Sequence, residues 1–242
     1  MAVPSPFLSC RVREGGPVLV SCWSPKGGSG TTVVAGVLAL LAARSSASGA
    51  LIVDVVGDVP AALGVAEPAG PGVLDWLDAT TDVGDDALPR LEVDVGRRLR
   101  LLARGGRDVS GGAGGVRRAE ALAAALVADS RPVIADCGTA DRSPGRELAS
   151  GATLSLAVLR PCYLALRRAL AAPLRPDGVV LVTEPGRALQ GRDVEDVLGV
   201  PVWAEVPLDP AVARAVDAGL LAARLPRPAE RALDRALNAV PR

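Results

Sequence analysis

Short apolar runs recur along the chain between stretches rich in glycine, proline and charged residues. Continuous apolar runs of this length are typical of strands buried on both faces of a sheet. They predict strands over residues 18–23, 50–54, 99–102, 133–136, 153–159, 179–183 and 202–206. Helices are predicted between them over residues 31–43, 119–128, 163–172 and 192–198. Strand, helix and strand in close succession form βαβ units, so we predict a mostly parallel, doubly wound α/β sheet with helices on both faces.

The loop between the first strand and the first helix is rich in glycine. It reads Ser24-Pro25-Lys26-Gly27-Gly28-Ser29-Gly30-Thr31-Thr32. A glycine-rich turn into a helix leaves backbone N–H groups and the positive end of the helix dipole facing one small space, which suits a phosphate group. The sequence therefore predicts a phosphate-binding loop over residues 26–32.

The loop departs from the ordinary motif G-x-x-x-x-G-K-[ST] at the position of the lysine. Thr31 stands where that motif has its lysine, whereas Thr32 supplies the hydroxyl group for Mg²⁺. Lys26 is the only lysine in the chain. Because a compact ammonium group differs from a planar guanidinium group near a phosphate, we interpret Lys26 as a functional residue.

A second candidate motif follows the predicted strand at residues 133–136. An apolar strand that ends in a carboxylate downstream of a phosphate-binding loop has the form of a Walker B element, in which Asp136 would hold the Mg²⁺ shell. Gly138 follows closely enough for the backbone to sense the γ-phosphate region. Asp54 ends the predicted strand at residues 50–54, so the candidate metal ligands are Thr32, Asp54 and Asp136.

The pattern K-G-G-x-G-x-T at residues 26–32 resembles the deviant Walker A box of the MinD/ParA superfamily, and Lys26 matches its hallmark lysine. In that family the hallmark lysine reaches across a dimer into the partner's nucleotide. The resemblance therefore implies a homodimer that binds ATP or ADP with Mg²⁺. The family's second lysine falls at Thr31, and relatives that lose it include the CpaE/TadZ pilus-assembly proteins.

Two further segments carry the resemblance. Residues 136–139, Asp-Cys-Gly-Thr, resemble the switch II segment of the superfamily. Residues 199–209 resemble its C-terminal segment, in which the proline loop, here at Pro207, lies against the adenine. By order of elements the resemblance covers most of residues 17–225. Protein partners in a positioning or assembly system are also implied.

The departures from the family pattern predict weak catalysis. Thr31 carries no positive charge, and Val56 stands where the family usually has an aspartate near the attacking water, so Asp58 is the nearest substitute. Glu184 lies where the family has an adenine-reading asparagine, and its carboxylate can accept from the adenine amino group. We expect nucleotide to bind through Lys26, the glycine loop, Thr32 and Asp136, with slow or no hydrolysis. The candidate catalytic residues are Lys26, Asp58 and Asp136.

Three functions agree with these residues. The favoured one is a nucleotide-binding scaffold or positioning factor similar to CpaE/TadZ proteins. The second is a working ATPase of the partition or division type, in which Lys26 does the work of both lysines. The third is a pseudo-ATPase that binds no nucleotide and acts as a dimerisation module, which gives Lys26 no evident use.

Composition removes several other classes of function. The chain has no histidine, which excludes imidazole catalysis and histidine-ligated metal sites. Its 27 basic and 27 acidic residues balance, which argues against a dominantly electrostatic nucleic-acid binder. The four cysteines form no C-x-x-C motif, so we expect reduced thiols in a cytoplasmic protein, with peripheral membrane contact as the alternative. We expect the acidic cluster Asp82, Asp85 and Asp86 to be a solvated loop.

The chain is expected to divide into an irregular arm at residues 1–16, a nucleotide-binding domain at 17–225 and an amphipathic helix within 226–242. The helix spacing favours packing on the domain, or a weak partner contact, over membrane insertion. Arginines are frequent between Arg97 and Arg118. We interpret this region as a solvated rim rather than a docking surface for DNA or an acidic membrane, since aromatic residues for base stacking are missing.

Overall fold

The computed structural model describes residues 17–79, 85–106 and 113–238. Its strands are β1 (Val18–Trp23), β2 (Ala50–Asp54), β3 (Glu92–Gly96), β4 (Leu99–Leu102), β5 (Pro132–Asp136), β6 (Leu154–Leu159), β7 (Gly178–Thr183) and β8 (Val202–Pro207). The helices are α1 (Thr31–Ser45), α2 (Val59–Leu63), α3 (Val73–Asp78), α4 (Ala113–Val127), α5 (Gly145–Gly151), α6 (Tyr163–Ala171), α7 (Gly191–Leu198), α8 (Pro210–Asp217) and α9 (Arg227–Asn238). A short 3₁₀ helix spans Asp85–Leu91.

The strands form one sheet in the order β3-β4-β2-β5-β1-β6-β7-β8. Every neighbouring pair is parallel except β3 with β4. The chain runs from β1 to β2 on one side of the sheet and reaches β6 on the other, so the direction of winding changes beside β1. Ligand crevices in open α/β sheets lie outside the carboxyl ends of the strands at such a point.

Apolar side chains pack on both faces of the sheet. On one face α1 lies over the central strands, and Val37, Leu38 and Leu41 are buried there. On the other face Trp76 of α3 and Leu122 of α4 pack against the strands. Because the sheet is covered on both sides, its central strands need continuous apolar sequence, which explains why these runs were readable. The mostly parallel, doubly wound sheet predicted from the sequence is confirmed.

The C-terminal helix α9 uses its apolar face inside the protein. Ala229, Leu233 and Leu237 are buried in the same core as α1. Arg44 at the end of α1 also forms an ion pair with Glu230. Packing on the domain therefore accounts for the apolar spacing of this helix. No described helix is both long enough and apolar enough to cross a membrane.

Sequence reasoning missed the edge strand β3 and the helices α2, α5 and α8. The strand alternates polar and apolar residues and is largely exposed, so it lacks the apolar run of the buried strands. Its turn into β4 uses Arg97 and Arg98 with φ of 55° and 62°, positions at which a hairpin usually has asparagine or glycine. Helix α4 also begins before residue 119, where the sequence predicted its start. The prediction started too late because the glycine-rich first turn gives no helical signal.

Several sequence predictions concern residues outside the described part of the chain. These are the irregular arm at residues 1–16 with Cys10, the acidic residue Asp82, and Arg107. Of the remaining cysteines, Cys22 and Cys137 are buried free thiols, and Cys162 is a half-buried free thiol.

The backbone at the end of α2 lies very close to the segment that follows α8, and a substitution there tests this contact. Gly64 ends α2 with φ +76°, and a Cβ atom there would lie 1.5 Å from the carbonyl oxygen of Gly219. We predict that Gly64→Ala lowers the free energy of unfolding by at least about 1–2 kcal/mol, the cost of the left-handed conformation alone. Urea denaturation measures the change.

Gly70→Ala is the matched control, because a Cβ atom at Gly70 meets nothing within 4 Å. Equal stability of the Gly64 and Gly70 variants would contradict the contact between α2 and the segment that follows α8.

Candidate functional site

The glycine loop is held in shape by its own serines. Ser24 Oγ accepts a hydrogen bond from Lys26 N at 3.2 Å, and Ser29 Oγ donates to Lys26 O at 2.8 Å. The two hydroxyl oxygens lie 2.9 Å apart, and both side chains are buried. Because these hydrogen bonds lie within the loop, its conformation does not require a ligand.

The outer face of the loop is open. Gly28 and Gly30 have φ of 77° and 90°, which favours glycine, and Gly30 is the N-cap of α1. A Cβ atom added at Gly27, Gly28 or Gly30 would meet nothing within 4 Å. The backbone therefore borders open space at the start of a 15-residue helix, where an anion is stabilised by free N–H groups and by the helix dipole.

A cleft of about 820 Å³ lies against this face. Thr31, Thr32 and Asp58 line it together with the glycines of the loop and residues 137–145. Backbone hydrogen bonds join its two sides: Ser24 N donates to Gly138 O at 2.8 Å, and Cys137 N donates to Cys22 O at 2.9 Å. The predicted phosphate loop and the predicted switch segment are thus neighbours in one cleft.

Gly138 brings the segment after β5 close to the segment after β2. Its φ is +58°, and a Cβ atom there would lie 2.7 Å from Val56 Cγ2. Only glycine allows the segment after β5 to approach the segment after β2 this closely. A side chain at residue 138 would push Val56 or the switch segment into the cleft.

Two buried carboxylates lie side by side on neighbouring strands beneath the cleft. Asp54 and Asp136 end neighbouring parallel strands and are partners in the register, and both are fully buried. Asp54 accepts backbone N–H groups from Val56 at 2.9 Å, Gly57 at 2.7 Å and Val59 at 3.0 Å. These three hydrogen bonds shape the turn that carries Asp58 into the cleft. The role of Asp54 as a metal ligand stays a prediction.

Asp136 has an oxygen without a protein partner. Its Oδ1 accepts from Gly138 N at 3.2 Å, whereas its buried Oδ2 has no hydrogen-bond partner among the described residues. Burial raises the pKa of Asp136 to about 6; the hydroxyl of Thr32 opposes this shift, and the negative charge of Asp54 adds to it. Burial also raises the pKa of Asp54, against its three backbone donors. A buried oxygen of this kind is a place for a cation or its water.

The oxygen donors fit Mg²⁺. Magnesium usually takes one or two protein ligands and completes its shell with water and substrate phosphates. Thr32 lines the cleft, and its hydroxyl interacts with the buried carboxylate of Asp136 behind the lining. The described residues contain no cluster of three or more acidic or cysteine side chains that would hold a metal by themselves. The site therefore suits a cation that arrives with a phosphate ligand.

A second cavity adjoins the loop from the other side. It measures about 310 Å³, and Val33, Val182 and Pro207 give it a mainly apolar lining. Gly28 and Gly30 line both cavities, so the loop forms the wall between them. An apolar cavity next to the predicted phosphate loop has the size and character to take a planar base.

Two predicted site residues lie apart from these cavities. Lys26 is half-buried and lines neither of them, and its ammonium group forms no ion pair with a described carboxylate. Glu184 is paired with Arg187, and with Arg160 at 3.8 Å. Its carboxylate is thus engaged at the surface, and its role toward adenine stays a prediction. Arg160 itself lines the apolar cavity.

Sequence reasoning missed two arginines in the cleft. Arg104 was assigned to the solvated rim, yet it lines the cleft from the segment after β4. Arg142, from the segment after β5, also lines it. Each arginine lies in the segment that follows a strand of the parallel sheet, and the carboxyl ends of such strands share one edge. This position is the signal in the sequence that could have indicated them.

The chain is similar in fold to several solved structures. No protein-family model matches the sequence, and no curated protein sequence matches it. A ParA family ATPase from Chlorobium tepidum TLS superposes with a TM-score of 0.70 at 17% identity, over 93% of this chain and 99% of that chain. MinD complexed with Mg-ADP from Pyrococcus horikoshii OT3 gives a TM-score of 0.70 at 19% identity, over 92% and 95%. A Cyanothece McdA–ATP complex gives 0.67 at 16%, over 94% and 95%.

These likenesses show the fold of the chain. The chain has the P-loop α/β fold of the MinD/ParA superfamily, and its eight-stranded, mostly parallel sheet matches that architecture. The fold that the resemblance at residues 26–32 implied is thus confirmed.

The buried carboxylate of Asp136 should make the stability of the protein depend on pH. Because the pKa of Asp136 is about 6 in the folded protein and about 3.9 when unfolded, the folded state binds more protons between these values. Stability of the ligand-free protein should therefore fall as pH rises from about 4 to about 6. Asp136→Asn should remove the part of this fall that Asp136 causes and stabilise the protein at pH 7.5 by about 2–3 kcal/mol, while the raised pKa of Asp54 leaves a smaller fall.

Urea unfolding across this pH range measures the effect, with the exposed cleft residue Asp58→Asn as control. A difference between wild type and Asp136→Asn that is the same at pH 4 and pH 7.5 would contradict the assigned cost of the buried charge.

Proposed function

We propose that this protein is a MinD/ParA-type nucleotide-binding protein that holds MgATP or MgADP in the glycine-loop cleft and acts as a scaffold or positioning factor. Hydrolysis is slow or absent. The observation that carries the proposal is the open face of the glycine loop beside the unpartnered oxygen of Asp136. A collapsed nucleotide site would have filled this space with side chains.

The two cavities suggest how the nucleotide lies. The phosphates occupy the cleft against the backbone of residues 27–32, and the base enters the apolar cavity beside Pro207. Thr32 and Asp136 hold Mg²⁺ or its bound water. The metal would neutralise part of the phosphate charge, and the protein residues hold and orient the phosphates. The Mg-ADP and ATP complexes among the structures of similar fold support this class of ligand.

Slow hydrolysis follows from what the cleft lacks. Thr31 lies beside the phosphate position without a positive charge, and a charge-assisted hydrogen bond contributes about 1.5–3 kcal/mol. The loss is larger in the transition state, where more charge develops on the phosphate. Val56, at the position for activating water, is apolar and lines the cleft. The protein therefore retains nucleotide binding while having little means to cleave it.

Lys26 supports a homodimer. Its ammonium group lies outside the cleft of its own chain and has no described carboxylate partner. An unpaired, half-buried cation at the head of a phosphate loop is suited to a phosphate of a second copy. We infer that two copies meet over the nucleotides, and that a protein partner of a positioning or assembly system reads this state. A MinC:MinD complex from Aquifex aeolicus is among the structures of similar fold.

A working ATPase of the partition or division type is the second candidate. Asp58 favours it, because this exposed carboxylate lines the cleft and can replace the aspartate that Val56 displaces. The third function, a dimerisation module without nucleotide, is opposed by the open loop.

Nucleotide affinity and phosphate release, measured on wild type and Lys26→Ala, separate the three. Binding of MgATP without phosphate release supports the scaffold. Turnover that Lys26→Ala abolishes supports the enzyme. Lack of binding to either MgATP or MgADP would overturn the proposal in favour of the dimerisation module.

Restoring the missing charge should strengthen binding. Thr31→Lys places an ammonium group at the start of α1 beside the open glycines, so we predict that affinity for MgATP rises by about tenfold or more. Isothermal titration calorimetry measures it, with Thr31→Val as a control that adds no charge. Unchanged affinity in Thr31→Lys would show that the phosphates do not lie against this loop.

A further inference from the structure

The cleft needs positive charge that its glycine loop does not provide. Asp58 and Asp141 line it, and Asp54 and Asp136 lie buried beneath it. A nucleotide triphosphate adds further negative charge. The carboxylates and a bound triphosphate would repel one another strongly in a partly buried site. A bound triphosphate therefore requires cations besides Mg²⁺. Lys26 does not line the cleft of its own chain.

Arg104 comes from the segment that follows β4. It is half-buried and lines the cleft, and its Cδ atom lies 3.2 Å from the position that a Cβ atom on Gly57 would take. The aliphatic part of the side chain therefore packs against the turn at residues 55–58. Its Nη1 donates to Gly105 O at 3.4 Å. This packing holds a guanidinium group at the edge of the cleft.

Arg142 comes from the segment that follows β5. Its side chain is 86% exposed and lies 3.9 Å from the carboxylate of Asp141, which also accepts a 2.7 Å hydrogen bond from Thr139 Oγ1. An ion pair this exposed contributes little stability. Arg142 can therefore leave Asp141 for a stronger charge in the same cleft at small cost.

We propose that Arg104 and Arg142 together supply the positive charge for the β- and γ-phosphates that Thr31 does not supply. A guanidinium group binds phosphate through two parallel N–H donors, so a pair of arginines can replace one loop lysine from outside the loop. The inference rests on the proposed nucleotide binding and assigns two residues to it. Both arginines follow strands that end at this edge of the sheet, so the sheet fixes where the two segments begin.

The first experiment compares affinities of the purified protein for MgATP, MgADP and adenosine. Arg104→Gln and Arg142→Gln should each weaken MgATP binding by about tenfold, MgADP less, and adenosine not at all. Arg98→Gln is the matched control, because Arg98 is an exposed arginine at the opposite end of β4. It should bind all three ligands as wild type does.

The second experiment places both substitutions in the Thr31→Lys background. Because the new lysine and the arginines would serve the same phosphates, the loss caused by Arg104→Gln and Arg142→Gln should shrink at least threefold there. Thermal unfolding checks that each variant is folded, and Arg104→Lys should retain part of the affinity if Arg104→Gln is unstable.

The outcomes separate this inference from the proposed function. If wild type binds MgATP and both arginine variants bind it equally well, the inference is overturned and nucleotide binding stands. If the arginine losses are unchanged in the Thr31→Lys background, the arginines do not replace the loop lysine, and the inference is again overturned. Wild type that binds no nucleotide removes the proposed function and this inference with it.

Discussion

The structure depends on the parallel register that places Asp136 beside Asp54 at the carboxyl edge of the sheet. This register puts two carboxylates under one cleft, with both side chains fully buried. The arrangement is unfavourable for folding, since burial raises the pKa of both groups. Asp54 offsets its burial with three backbone hydrogen bonds, and Asp136 does so only in part. A buried oxygen without a partner, close to a cleft, is typical of a functional site.

The glycine loop and the switch segment complete this arrangement because their backbones are joined. The hydrogen bond from Ser24 N to Gly138 O connects the segment after β1 with the segment after β5. Gly138 then contacts the turn after β2 so closely that a side chain would not fit. If a nucleotide binds at the glycine loop, a change at its phosphates would reach Asp136 and Val56 through short backbone contacts. This coupling is what a protein needs if a bound nucleotide is to alter its surface.

The sequence predicted the buried parts of the molecule well and the exposed parts poorly. The strands around β1, together with the loop at residues 26–32, were readable because burial on both faces demands apolar runs and the sharp turn demands glycine. The edge strand at Glu92–Gly96 was not, since its exposed residues follow no such demand. The positions of Arg104 and Arg142 in the cleft could not be predicted for another reason. Their segments are far apart in the sequence, and only the strand order of the sheet brings them to the same cleft.

We propose that the glycine loop holds a nucleotide with Mg²⁺ at Asp136. A crystal structure of the protein grown with Mg²⁺ and a non-hydrolysable ATP analogue would show this binding. We expect phosphate oxygens against the backbone N–H groups of residues 28–32, Mg²⁺ beside Thr32 with its shell reaching Asp136 Oδ2, and the base beside Pro207. An analogue bound elsewhere, or a loop filled by the protein's own side chains at saturating analogue, would contradict it.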